Sequence, residues 1–352
     1  MSNKNYTPPS RRSFLAGTVG AAVVGTTTTA VATTDDDQHG ATAKSTAAWK
    51  PTAHDLTMDD GHRLRVWERT PDDPDEAVIF VHGMTYGAVP MFDPPVAEDF
   101  GWLRYATEQG QAAYAPDMRG YGETELPEEY TEPPEANTPP LSFEREARDI
   151  LELTRWIRDE QGFDRIHYVG LSGGTWRGRA VYELGDPDYT TVTLAGGSFE
   201  TLEVGADPDG PAYLPHTRDE FYDTWTGEVP ADADTDRWIG GDEFTSERAF
   251  SAVWQAIVES NQARAAPGTI AAPLVKQERT YHPKHIDDPT FVIRATSDET
   301  ISRDGALNLY DAAGADDDQK WYTEIAGGTH FIFLERKRRE FFDAVWQFQT
   351  RY

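Results

Sequence analysis

Between residues 166 and 183 the chain passes from a short apolar stretch, Ile166-His167-Tyr168-Val169, through Gly170-Leu171-Ser172-Gly173-Gly174 into the helix-forming run Arg177 to Glu183. This order constrains the fold more than any other feature. A serine with glycine two places before and two places after it, set between a strand and a helix, marks a turn too tight for larger neighbours. Such a turn lifts the hydroxyl above the carboxyl edge of a sheet. A glycine-rich turn carrying an ordinary solvated serine would need the same small residues, so the pattern gains its meaning from its flanks.

The rest of the chain fits a layered α/β arrangement. Leu64 to Trp67 alternates as a strand, and Ala77-Val78-Ile79-Phe80-Val81 is a continuous apolar run of the kind buried on both faces of a parallel sheet. A helix is expected over Glu98 to Gln109, a strand over Ala112 to Pro116, and a long helix through Gln161 capped by Ser142, with Leu151, Thr154 and Ile157 on one stripe. Strands follow at Arg165 to Leu171, Thr190 to Ala195, Thr290 to Ala295 and Lys320 to Ile325, before a closing helix over Glu335 to Phe348. Strands alternating with helices imply a mostly parallel sheet covered on both faces. The alternation breaks between Ser198 and Asp288. There Thr217 and Glu220 form a capping-box pattern for a helix reaching Trp225, and Glu247 to Gln262 reads as a second amphipathic helix, with no strand signals around them.

The expected organisation is therefore a core over 51–198 and 288–352, interrupted by a helical cap insertion over 199–287. Residues 1–32 read as a signal segment. Ser10-Arg11-Arg12-Ser13-Phe14-Leu15 puts an arginine pair before the weakly apolar stretch Ala16 to Gly25, and Ala30-Val31-Ala32 supplies small residues for cleavage. This resembles a twin-arginine export signal, which implies an extracellular or cell-surface location. The apolar run falls short of the roughly 20 residues a spanning helix needs, so no stable membrane insertion of the mature chain is expected. Residues 33–50, with Asp35-Asp36-Asp37 and many Thr and Ala, read as a solvated, disordered linker.

A net charge of −29, from 61 acidic against 32 basic residues, repels phosphate backbones and argues against nucleic acid as a partner. Only seven of the basic residues are Lys, an acid-rich and Lys-poor balance that resembles proteins of high-salt organisms. The chain has no cysteine, which removes disulfides, thiol nucleophiles and lipidated thiols together.

Ser172 needs a base, and histidine is the side chain whose pKa suits that task near neutrality. Of the nine histidines, His330 is the best placed: Gly327-Gly328-Thr329-His330-Phe331 follows the last strand and precedes the final helix. An imidazole acting as base needs an acid to fix its tautomer. Asp298, on the loop after Phe291 to Ala295, is the first candidate, and Glu299, Asp304 and Glu200 are the substitutes. Backbone amides of Met84, after Val81-His82-Gly83, and of Gly173 are the candidate donors to a developing oxyanion. Asp117-Met118-Arg119-Gly120-Tyr121-Gly122 reads as a structural turn in which Arg119 pairs with acids. His282 and His285 lack the partner cluster a metal site needs, so no metal is expected. Phe221, Tyr222, Trp225, Trp238 and Trp254 either line a substrate entrance or simply pack.

Val81-His82-Gly83, Asp117 to Gly122, Gly170 to Gly174, Asp298 and Gly327 to His330, in this order, resemble the successive motifs of the α/β-hydrolase family from Pro51 to Tyr352. The resemblance implies a mostly parallel sheet of about eight strands, a Ser-Asp-His triad in that chain order, a cap that shapes substrate choice, and no cofactor. Two positions depart from the family's habit. Gly173 stands where a larger residue is common after the nucleophile, and Thr296 where a glycine is frequent before the acid. The expectation is an exported serine hydrolase acting on an ester or related acyl bond of a small, largely apolar molecule. An amide, thioester or carbon–carbon bond as the target, or a non-catalytic binding relative, are the alternatives. Oligomeric state is left open.

Overall fold

A computed structural model describes residues 50–97, 100–199, 209–263, 268–276 and 279–352. The signal expected at 1–32 and, Lys50 excepted, the linker expected at 33–50 lie outside these, as does Glu200.

The elements run β1 (Thr52–Thr57), β2 (Arg63–Arg69), β3 (Ala77–Val81), α1 (Ala88–Phe92), α2 (Trp102–Glu108), β4 (Ala112–Asp117), β5 (Leu141–Ser142), α3 (Phe143–Asp159), β6 (Ile166–Leu171), α4 (Gly173–Leu184) and β7 (Thr191–Ala195). Then come β8 (Tyr213–Thr217), α5 (Arg218–Thr226), α6 (Thr235–Gly240), α7 (Ser246–Val258), β9 (Thr269–Pro273), β10 (Val275–Lys276), β11 (Thr290–Ala295), α8 (Arg303–Ala312), β12 (Lys320–Ile325) and α9 (Arg338–Gln349). Eight strands form one sheet in the order β1-β2-β4-β3-β6-β7-β11-β12. The leading hairpin pairs antiparallel with itself and with β4, and every other neighbour pair is parallel.

The apolar runs explain this sheet. Successive side chains of a strand point to opposite faces, so a run with no polar alternation must be covered on both. In β3, Val78 and Phe80 join one core cluster while Ala77, Ile79 and Val81 join the other. β6 divides in the same way, with Val169 and Leu171 on the first side and Ile166 and Tyr168 on the second. The first face is closed by α9, whose Phe342 stacks on Trp102 with ring centroids 4.6 Å apart. The second is closed by α3, which starts where the Ser142 hydroxyl accepts the Arg145 N–H at 3.3 Å. Its buried stripe takes in Thr154 and Ile157 as expected, together with Ile150 and Leu153, whereas Leu151 stands half-exposed at the edge.

The insertion carries the expected helices and more. The Thr217–Glu220 capping box opens α5, and α7 replaces the expected Glu247 to Gln262 with a shorter span. Contrary to the reading from sequence, strands lie there too. β8 pairs antiparallel with β9, and β10 pairs with β5 from the core. Thr269 to Pro273 mixes small residues and proline, so it lacks the β-branched density by which an isolated strand is recognised. Among the described residues no helix is long and apolar enough to cross a membrane.

Candidate active site

Ser172 occupies the single residue between β6 and α4, with φ +52° and ψ −115°. A non-glycine side chain at this angle is strained, and the surroundings hold it there. The Ser172 N–H donates to the Ala195 carbonyl at 2.8 Å, and its own carbonyl accepts from the amide and the hydroxyl of Thr175, both at 2.8 Å. The turn tolerates no Cβ at Gly174, where one would stand 2.2 Å from the Val81 carbonyl oxygen. The motif's glycine is thus demanded by contact between the start of α4 and the end of β3.

That contact brings the turn after β3 to the serine. A Cβ placed on Gly83 would lie 2.9 Å from Ser172 Cβ and 3.4 Å from its Oγ. One placed on Gly173 would lie 3.2 Å from Met84 Cγ and 3.3 Å from Arg177 Nη1, so Met84 and Arg177 fill the space that a larger residue would take. Met84 and Gly173, the two candidate oxyanion donors, are therefore neighbours beside Ser172. As the first residue of α4, Gly173 has an N–H with no intrahelical partner.

The loop after β3 is braced from below. Arg177 lies wholly buried and forms a two-pronged pair with Glu146, each bond 2.9 Å long. Its Nη1 also donates to the carbonyls of His82 at 2.7 Å and Gly83 at 3.2 Å. The His82 ring accepts the Met118 N–H at Nε2 (3.0 Å), which leaves Nδ1 to donate to the Gly83 carbonyl at 2.7 Å. Burial, and then the nearby Arg177 charge, push the His82 pKa well down, so this imidazole stays neutral.

His330 and Asp298 meet at the carboxyl ends of β7, β11 and β12. His330 Nδ1 stands 3.0 Å from Asp298 Oδ2, and Asp298 Oδ1 accepts the Ile301 N–H at 2.7 Å. Both side chains are buried, whereas Glu299 and Asp304 are exposed, so Asp298 is the carboxylate that reaches the ring. Arg294 of β11 shapes the acid loop by donating to the carbonyls of Asp298 (2.7 Å) and Ile301 (3.0 Å). The ring packs on Gly196, whose φ of +56° follows β7 and whose missing Cβ would touch His330 Cε1 at 3.3 Å. Since Ser172 is bonded to Ala195 and His330 rests on Gly196, hydroxyl-bearing turn and imidazole border adjacent residues at one strand end. Burial pulls the His330 pKa down, but the charge and hydrogen bond of Asp298, helped by Glu228, outweigh it and leave the pKa raised.

Four supporting residues had no signal in the sequence. Glu228, after α5, accepts the His330 N–H at 2.8 Å. Glu335 is fully buried and accepts the Thr329 N–H (3.0 Å), the Thr329 hydroxyl (2.6 Å) and the Trp238 indole N–H (3.1 Å). Burial pushes its pKa to about 7. Arg177 and Glu146 complete the set. All belong to abundant residue types in a chain with 61 acids, and no short-range spacing marks them.

The other candidates take ordinary places. Arg119 pairs with Asp149 at 2.8 Å and Asp60 at 2.7 Å, which makes the Asp117 to Gly122 segment the expected structural turn. His282 Nδ1 accepts the Lys284 N–H at 3.1 Å, capping a single turn in the exit loop. Among the described residues no group of three or more His, Cys, Asp or Glu could hold a metal ion. Phe221, Trp225 and Trp238 are buried in the first core cluster, and Tyr222 and Trp254 pack partly buried against it.

A sheet of this order, with a serine on a strained strand-to-helix turn and a histidine–aspartate pair on later loops, defines a hydrolase of the α/β class. A family model described as the alpha/beta hydrolase family matches residues 78–344, and the chain belongs to that family. Comparison with curated proteins gives no match. Solved structures similar in fold include a serine hydrolase involved in carbazole degradation, at 17% identity and TM-score 0.53, covering 86% of this chain and 99% of that one. An esterase from Exiguobacterium antarcticum is 16% identical with TM-score 0.53, over 85% of this chain and 100% of its own. A thermophilic esterase from Thermogutta terrifontis is 14% identical with TM-score 0.55, over 85% and 98%.

Proposed function

We propose that the chain is an exported serine hydrolase that cleaves an ester or related acyl bond of a small, largely apolar substrate. The observation that carries this reading is the strained Ser172 turn next to the strand end on which the His330–Asp298 pair rests. In this reading His330 Nε2 takes the Ser172 hydroxyl proton as Oγ attacks the substrate carbonyl carbon. The carbonyl oxygen becomes an oxyanion facing the amides of Met84 and Gly173, each such donor contributing roughly 3 kcal/mol. As the intermediate collapses, the imidazolium returns its proton to the leaving oxygen and an acyl-enzyme remains. Water, deprotonated by the same imidazole, then releases the acid and restores the hydroxyl. Asp298 keeps the proton on Nδ1 and stabilises the imidazolium.

An aromatic cap continuous with the core favours an apolar acyl or alcohol portion. Esters of graded chain length test this, with Ser172→Ala as control: turnover should vanish in the variant while its unfolding transition stays put. Undiminished turnover would overturn the assignment. Export rests on the Arg11-Arg12 segment, and Arg11→Lys with Arg12→Lys should trap the chain inside the cell.

A further inference from the structure

Beyond the pair that orients it, His330 is gripped from the insertion. The turn that follows α5 presents Glu228, half-buried, toward the two loops that carry the base and the acid. One carboxylate oxygen accepts the His330 backbone N–H at 2.8 Å. The other accepts the hydroxyl of Thr300, two residues beyond Asp298. A single insertion side chain thus joins both loops, and its charge faces the imidazole together with Asp298. Arg294 from β11 acts in the opposite sense on His330, and Glu335 from the loop before α9 lies near enough to feel Glu228 as a like charge.

We propose that Glu228 is a positioning residue of the insertion: it fixes the main chain at His330 and the side chain at Thr300 together, and lends the imidazolium a second negative neighbour. This rests on the reading of His330 as the base. The consequence is that the seated insertion adds a tie to the two loops beyond those that Arg294 and Glu335 supply. Contacts within the core alone would leave the His330 N–H without an acceptor, and a small displacement of a catalytic group costs rate steeply. The charge has its own effect, because a carboxylate near a buried imidazole favours the protonated ring.

Two substitutions in the full chain separate these effects. In Glu228→Gln the side-chain oxygen still accepts the His330 N–H, but the charge is gone. The acid limb of kcat/KM for an aryl ester should then move to lower pH, with KM little changed. In Glu228→Ala both bonds go, and kcat should fall by about tenfold or more with KM again nearly unchanged. The rate of Ser172 labelling by a fluorophosphonate should fall in parallel. His330→Ala serves as reference. If it abolishes turnover while both Glu228 variants keep the wild-type pH profile and kcat, the positioning role is wrong and the base assignment stands. If His330→Ala itself labels and turns over normally, the base assignment fails first. Should Glu228→Ala not fold, the near-isosteric Glu228→Gln still decides through its pH profile.

Discussion

Asp298 and His330 are joined by one hydrogen bond, Oδ2 to Nδ1 at 3.0 Å, and the second oxygen of Asp298 is occupied by the Ile301 amide. One carboxylate oxygen thus holds its own loop and the other holds Nδ1 of the ring, which leaves Nε2 outside this pair. Burial opposes a charge on this ring, yet Asp298 with Glu228 raises its pKa above the usual histidine value. A general base works only when neutral, so activity must rise as pH climbs through that raised value. The acid limb of kcat/KM for an aryl ester should have its midpoint above pH ~6.5.

Asp298→Asn should move that midpoint down, because the ring loses its main negative neighbour. The rate should fall about 10³- to 10⁴-fold as the tautomer is lost. A pH–rate series on both proteins checks direction and size. An unchanged midpoint would remove Asp298 from the pair.

Glu335 gives a prediction about stability. Its folded pKa of about 7 exceeds the ordinary 4.5, so the folded state favours the protonated carboxyl. Its contribution is fully present below pH 4.5 and is lost as pH rises through about 7, with an upper bound of about 3 kcal/mol. His330 acts in the same sense, so the difference between wild type and Glu335→Gln isolates the glutamate. Urea unfolding at pH 5 and pH 8 should show a smaller loss of stability in the variant. Equal losses would mean that Glu335 does not titrate in this window.

Arg177 is predicted to be structural support for the loop after β3, which carries the candidate oxyanion donor Met84. Arg177→Met strands the buried Glu146 and removes donors from the His82 and Gly83 carbonyls, which should cost about 3–5 kcal/mol in urea unfolding. Adding Glu146→Leu should recover much of that stability but not the activity. Recovery of both would show that the brace is irrelevant to the site.

The net charge of −29 predicts a response to salt. Molar NaCl screens repulsion among the surplus carboxylates, so the thermal midpoint should rise from dilute buffer to high salt. A flat midpoint would count against adaptation to a saline medium.

Much of the sheet was legible because it is made of apolar runs such as Ala77 to Val81, whose burial on both faces leaves no polar alternation to confuse. The insertion was less so. Thr269 to Pro273 forms a strand because Tyr213 to Thr217 lies beside it, and pairing across 52 to 60 positions leaves no local trace. In the candidate site, Ser172 was legible through the tightness of its turn, where Gly174 meets Val81. His330 and Asp298 came from their place after strands, and the structure brings the two together at hydrogen-bond distance. Glu228, Glu335 and Arg177 were not legible. Each acts through a partner distant in sequence, and a glutamate that caps a loop from another segment looks the same as one facing water.

The most direct measurement is labelling of the full chain with a fluorophosphonate, followed by mapping of the modified peptide. One adduct is expected, on Ser172, absent in Ser172→Ala and strongly slowed in His330→Ala. An adduct on another serine, or labelling of Ser172 at undiminished rate without His330, would contradict it.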